Sequence, residues 1–181
     1  MWFSRKRQIS RFEIIINQLV CVKTKSVNTL SDIGCGYGAF FDYLYAAGVL
    51  SNWRYVGYDV SSEVIKFCKE KFNSKALFYR SPVPIYKSDF SVMSGTFNFF
   101  PDKNLSNWET YFKNSLKSIW SKTENAMIFN LQVSNEKRIT NKGIVYADSH
   151  EIENFCSKNF GKTSLIVEPS LPNDATFLIK R

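Results

Sequence analysis

The chain has 181 residues, 44% of them apolar, enough for one well-covered core and too few for two ordinary domains. Its longest apolar stretches, Glu13 to Val22 and Ser94 to Pro101, are broken by Asn17, Gln18 and Asn98 and fall short of the ~20 residues of a membrane span. The net charge of +8 fits either general solubility or an anionic partner such as RNA or a phosphorylated metabolite.

The elements alternate between helix-like and strand-like from start to finish, which predicts a single α/β sheet domain. A first helix is expected over about Gln8 to Cys21, with Phe12, Ile15, Ile16 and Leu19 on one face. Arg5, Lys6 and Arg7 precede it, but Arg11, Glu13 and Asn17 interrupt the apolar part, so a signal peptide is not expected and a cytoplasmic location is. The first strand runs from Thr29 to Ile33 and ends at a glycine loop. A helix follows with Phe40, Phe41, Leu44 and Tyr45 inward. The second strand is Arg54 to Asp59, and Ser61 is a suitable N-cap for a helix burying Val64, Ile65, Cys68 and Phe72. The third strand is Ala76 to Tyr79.

The fourth strand is Phe90 to Ser94. Ser106 and Glu109 have capping-box spacing ahead of Trp108, Phe112, Leu116 and Ile119. The fifth strand is Ala126 to Leu131, and Asp148 with Glu151 forms a second capping box, which makes His150 an exposed first-turn residue. Thr163 to Val167 and Ala175 to Ile179 close the chain as antiparallel neighbours, because Pro169, Pro172, Asn173 and Asp174 make their link a turn. The cysteines Cys21, Cys35, Cys68 and Cys156 lack C-x-x-C spacing and His150 is the only histidine, so no zinc site is expected. The thiols read as reduced and mostly buried, with Cys35 in the glycine loop as the exception.

The sharpest feature is Asp32-Ile33-Gly34-Cys35-Gly36-Tyr37-Gly38, between a strand and an amphipathic helix. Glycines there let the backbone turn tightly and approach a ligand, and the helix behind presents free N–H groups. The spacing is G-x-G-x-G, not the G-x-G-x-x-G of dinucleotide folds, which counts against a nicotinamide-dependent oxidoreductase. The second strand, Tyr55-Val56-Gly57-Tyr58-Asp59, ends in a carboxylate that can accept both ribose hydroxyls of an adenosine.

Leu30-Ser31-Asp32-Ile33-Gly34-Cys35-Gly36-Tyr37-Gly38 resembles the first motif of class I S-adenosylmethionine (SAM)-dependent methyltransferases, a L-D-I/V-G-C-G-x-G pattern, and Tyr55 to Ser61 resembles their second-strand motif. Gln8 with Arg11-Phe12, Gly34 to Leu44, Ser94 to Asn98, Phe129-Asn130-Leu131 and Asn173 to Phe177 are similar to a group of small bacterial methyltransferases of poorly defined substrate. The resemblance implies a three-layer Rossmann-like fold: a seven-stranded, mostly parallel sheet of order 3-2-1-4-5-7-6, its last strand antiparallel, flanked by helices. It implies SAM as cofactor, with Asp32, Gly34, Cys35, Gly36 and Gly38 around the amino-acid end, Asp59 on the ribose, Val60 on the adenine, Ser81 at its edge, and Ser94 and Gly95 beside the methyl. Two departures stand out. Arg80-Ser81 lacks the acid the family often has, and Ala39 stands where the narrower group often has one.

Methyl transfer from a sulfonium is a displacement governed by positioning and desolvation. No residue declares itself as a catalytic base. Asn98 and Asn130, at the carboxyl ends of strands, are candidates either for substrate contact or for loop capping. Trp2, Gln8 and Arg11 are candidates to fold the N-terminal segment, residues 1–26, over the site. Phe97, Phe99 and Phe100 either line a pocket or fill core. The expected acceptor is a small molecule, by analogy a sugar or surface-polysaccharide precursor. An RNA methyltransferase, motivated by the charge, and a non-catalytic SAM-binding subunit are the alternatives. N-P-P-Y/F after the fourth strand, a proline-cysteine nucleophile and an acid cluster for a metal are all missing from the sequence.

Overall fold

The alternating pattern folds into three layers in the computed structural model, which describes residues 5–181; Trp2 lies outside the described residues. Five strands run in parallel: β1 (Asn28–Ile33), β2 (Trp53–Asp59), β3 (Leu77–Arg80), β4 (Ser88–Ser94) and β5 (Thr123–Gln132). A short ribbon of β6 (Arg138–Ile139) and β7 (Val145–Tyr146) stands apart, and β8 (Lys162–Val167) and β9 (Asp174–Lys180) form the closing hairpin. The seven-stranded order is β3-β2-β1-β4-β5-β9-β8, with β9 antiparallel to both neighbours. With the ribbon set aside, this is the expected arrangement.

Strand periodicity divides the core. Ala126 and Ile128 of β5 face Phe12 and Ile15 of α1 (Arg5–Val22), together with α2 (Ala39–Ala46) and α3 (Ser62–Phe72). Met127 and Phe129 face the other way, onto Trp108 and Phe112 of α4 (Leu105–Trp120) and onto α5 (Ser149–Asn159). Each fully buried side chain of this kind contributes about 1.5–3 kcal/mol. Phe97 belongs to this second core, whereas Phe99 is 52% exposed.

Two caps form as the sequence predicts. Ser61 Oγ accepts from the Val64 N–H, and the Asp148 carboxylate accepts from the N–H groups of His150 and Glu151. The expected cap at Ser106 does not form. Asn104 takes that role, its Oδ1 accepting from the Asn107 N–H, so Ser106 lies inside the first turn. Glu109 and Glu151 do not reach back to close capping boxes; both pair with Lys137. The cysteine expectation also needs correction. Cys35, Cys68 and Cys156 are buried and Cys21 is the exposed thiol, because the glycine loop folds Cys35 inward under itself. No described helix is long and apolar enough to cross a membrane, and the described residues hold no cluster of three metal-ligating side chains.

Candidate active site

The site is built where β1 ends between β2 and β4. After Ile33 the chain turns sharply, and the N–H groups of Gly34 and Cys35 both donate to the Tyr58 carbonyl at 2.7 and 3.0 Å. This stitches the loop to the tip of β2. The Gly36 N–H then donates to Asp59 Oδ2 at 3.0 Å, and the Ser61 N–H donates to Oδ1 at 2.9 Å. A carboxylate offers about four lone-pair positions, so two remain on Asp59 for other donors. Gly36 has φ +53°, and a Cβ placed there would meet nothing within 4 Å. Its Cα therefore borders open space, where a side chain would fill the approach to the loop.

Asp32 lies behind the loop, buried, accepting from the Tyr55 hydroxyl at 2.5 Å. Burial pushes its carboxyl up to about 7, the Tyr55 hydrogen bond opposes this, and the nearby Asp59 charge adds to it. The Cys35 and Cys68 thiols both approach the Gly36 carbonyl, at 3.6 and 3.2 Å, and fill the space beneath the turn.

Two adjoining hollows open from this loop. The larger, about 360 Å³, is bounded by Gln8, Phe12, Asp32, Gly36, Tyr37 and Phe40. The smaller, about 160 Å³, is bounded by Arg11, Thr96, Asn98, Phe99, Gln132 and Ile144. Gly34 and Ser94 line both. The Ser94 hydroxyl oxygen is buried with no hydrogen-bond partner, so it stands available at the wall the two hollows share.

Residues 31–114 match the family model described as a methyltransferase domain. Over 96% of its length the chain superimposes on the SAM-bound magnesium protoporphyrin IX methyltransferase of Synechocystis PCC 6803, covering 79% of that chain, with a TM-score of 0.68 and 12% identity. The chain has the class I methyltransferase fold. A SAM-dependent methyltransferase of Aquifex aeolicus is similar over 95% of this chain and 96% of its own, with a TM-score of 0.57 and 16% identity. Rv1506c of Mycobacterium tuberculosis (strain ATCC 25618 / H37Rv), provisionally named a methyltransferase, is 26% identical over 156 residues, which is 84% of this chain and 93% of that protein.

Within this methyltransferase fold, the loop residues Asp32, Gly34, Cys35 and Gly36 all reach the larger hollow, and Gln8 joins them from α1. Gly38 sits beneath the loop instead, where an added Cβ would lie 2.3 Å from the Phe72 ring. Val60 is 61% exposed just past Asp59. Ser81 bridges the strand tips: its N–H donates to the Asp59 carbonyl and its hydroxyl donates to the Val83 carbonyl, so the hydroxyl is engaged locally.

Asn130 is framework, and Asn98 is framework through its side-chain oxygen alone. Asn130 is fully buried; its Oδ1 accepts from the Gly95 N–H at 2.7 Å and its Nδ2 donates to Asp174 Oδ1 at 3.1 Å. That leaves it no surface for a substrate. Asn98 accepts the Gln132 N–H on Oδ1 at 3.0 Å. Arg11 is also tied in: its Nε donates to Asp174 Oδ2 at 2.7 Å and its Nη2 pairs with the same oxygen, both side chains being buried. A chain of bonds thus runs from α1 through β9 and β5 to the loop after β4. Thr96 fixes that loop from the other side, its hydroxyl donating to the Ile33 carbonyl at 2.6 Å. The sequence reading included Thr96 only as part of Ser94 to Asn98 and missed Gln132. Gln132 had a readable signal: it lies two positions after Asn130 and so shares its strand face.

Proposed function

We propose that this methyltransferase fold binds SAM in the larger hollow and passes its methyl group to a small molecule seated in the smaller one. The observation that carries the reading is Gly36, which lines an open crevice and whose N–H is bonded to the Asp59 carboxylate. Two features fit a nucleoside with a charged sulfur. Gly36 leaves bare backbone beside open space, and Ser94 holds an unpartnered hydroxyl at the junction of the hollows.

The remaining lone pairs of Asp59 would accept the ribose hydroxyls, and Val60 would offer its exposed apolar surface to the adenine. Cys35, Gly36 and Gly38 would shape the backbone around the amino-acid end. Asp32 in its ionised form would attract the ammonium. Ser81 would edge the base through its backbone, while Ser94 and Gly95 would flank the methyl. Bound SAM supplies a methyl already activated by the sulfonium. The protein's part is to align the acceptor and exclude water. Gln8 and Phe12 on one hollow and Arg11 on the other make α1 a wall of the site, which supports this helix as its cover.

Several similar structures are titled as enzymes of small molecules, among them the protoporphyrin methyltransferase and human N-acetylserotonin methyltransferase (TM-score 0.64, 12% identity, 98% of this chain and 56% of that one). They favour a small acceptor over RNA. Calorimetric titration with SAM, S-adenosylhomocysteine (SAH) and NADH side by side tests the cofactor, with binding expected for the first two alone. Methyl-labelled SAM, incubated with a small-molecule extract and with total RNA, tests the acceptor. Label is expected in the small-molecule fraction. NADH binding, or label confined to RNA, would overturn the respective halves of the reading.

A further inference from the structure

The smaller hollow contains a set of polar groups that the fold itself does not use. Gln132, the last residue of β5, is 7% exposed and lines it. Its backbone is fully engaged: the N–H donates to Asn98 Oδ1 at 3.0 Å and the carbonyl accepts from the Ala147 N–H at 2.9 Å. Its side-chain carboxamide has no hydrogen-bond partner among the described residues. Because Asn98 must turn its oxygen to that backbone N–H, its own NH₂ is left without a protein partner on the same hollow. Ser94 adds the unpartnered buried hydroxyl. Only the Ser94 hydroxyl is sealed away unpaired, at a cost of roughly 1–3 kcal/mol, while the two amides face the open hollow; together they make a polar wall that a ligand can complete.

We infer that Gln132 is the specificity-determining residue for the methyl acceptor, and that the part of the acceptor it reads is neutral and hydroxyl-bearing. This rests on the methyltransferase reading of the same site. The wall presents donors (the Gln132 and Asn98 NH₂ groups), an acceptor (Gln132 Oε1) and the Ser94 hydroxyl, which is both. A hydroxyl both gives and takes a hydrogen bond and so satisfies either kind. A carboxylate only accepts, and would face Gln132 Oε1 with nothing to offer it. Nor does the hollow carry a free cation to attract one, since Asp174 balances Arg11. An apolar ring would leave the donors and the acceptors unpaired together. The volume of about 160 Å³ admits a portion of a few heavy atoms, with Phe99 and Ile144 as its apolar sides.

The test is a ¹⁵N–¹H spectrum of the full chain, with and without SAH, in which the Gln132 side-chain NH₂ signal is assigned by its loss in Gln132→Met. Neutral methyl glycosides at millimolar concentration are the probes, with benzoate and toluene as the anionic and apolar comparisons. The expected result is that a glycoside moves the Gln132 and Asn98 side-chain signals, binds Gln132→Met about tenfold more weakly, and that benzoate and toluene move neither. Gln132→Met should keep its SAH affinity, since Gln132 does not border the larger hollow. Gln132→Glu, similar in size, serves if the methionine variant does not fold. Unmoved side-chain signals with every glycoside, equal binding to the variant, or preference for benzoate or toluene would each overturn the inference. A wild-type chain that fails to bind SAH removes the cofactor reading separately, and the spectra without SAH still decide the role of Gln132.

Discussion

Gly36 and Asp59, 23 residues apart in sequence, meet through a backbone N–H donated to a carboxylate oxygen at 3.0 Å. The bond joins the two features that mark the site in the sequence. It also orients Asp59, whose other oxygen is held by the Ser61 N–H, so that the unused lone pairs project from the strand tip.

Replacing Asp59 with alanine is expected to lower SAH affinity at least about a hundredfold, since two charge-assisted bonds at about 1.5–3 kcal/mol each are lost. The fold should persist, because Asp59 is only half-buried and lies at a strand end. Calorimetry together with circular dichroism checks both parts. Affinity unchanged from wild type would remove the ribose assignment.

Gly36 and Gly38 should behave differently on substitution. Gly36→Val places its side chain in open space, so the chain should fold with a strain cost of about 1–3 kcal/mol and lose SAH binding. Gly38→Ala drives its Cβ into the Phe72 ring, 2.3 Å away, and should be destabilised by a further ~1–3 kcal/mol of overpacking. Melting curves beside binding isotherms separate the two effects.

Arg11→Met leaves Asp174 buried without its partner, and a loss of about 3–5 kcal/mol is expected. Adding Asp174→Asn should recover most of it, because the uncompensated charge is gone while Asn130 keeps an oxygen to donate to. Urea unfolding of the two single variants and the double variant measures the coupling. Strict additivity would show that the pair does not act as a unit.

Asp32 gives the protein a pH signature of definite sign. In the unfolded chain it ionises near 3.8; in the folded chain burial holds the proton until about 7. Between those values the folded state binds more protons than the unfolded one, so this group's contribution is full below about pH 4 and is lost as pH rises through 7. Asp32→Asn removes it, with an effect of roughly 4 kcal/mol at most above pH 8. Comparing wild type and variant by urea unfolding at pH 5 and pH 8 should show the variant gaining relative stability at the higher pH. A difference independent of pH would contradict the buried, protonated carboxyl.

The parts of this architecture that were readable in the sequence are those written locally. Ser61 and Asp148 announce their helices because a cap is a contact within three residues. The α/β class follows from strand–helix alternation and the closing hairpin from the Pro-Asn-Asp turn before β9, whereas the sheet order was implied by the family resemblance of the two motifs. Ser106 misled because Asn104, two residues earlier, competes for the same orphan N–H groups and wins the position. The ribbon of β6 and β7 has two residues per strand and leaves no period to detect. Asn98 and Asn130 lie at the strand ends as anticipated, yet Asn130 and the Asn98 oxygen hold the loops, and the groups left over are the Asn98 NH₂ and the Gln132 carboxamide. Nothing local foretells that Arg11 meets Asp174, since 163 residues separate them.

That last separation has a bearing on biogenesis. Arg11 sits in the opening helix and Asp174 in the closing strand, and through Asn130 their union reaches the amide of Gly95. A nascent chain emerging from the ribosome can shape the glycine turn early, from β1 and β2 alone. It cannot secure the segment after β4 until the final dozen residues have been synthesised and have slotted beside β5. Competence to bind an acceptor should therefore arrive last, as a terminal event of folding.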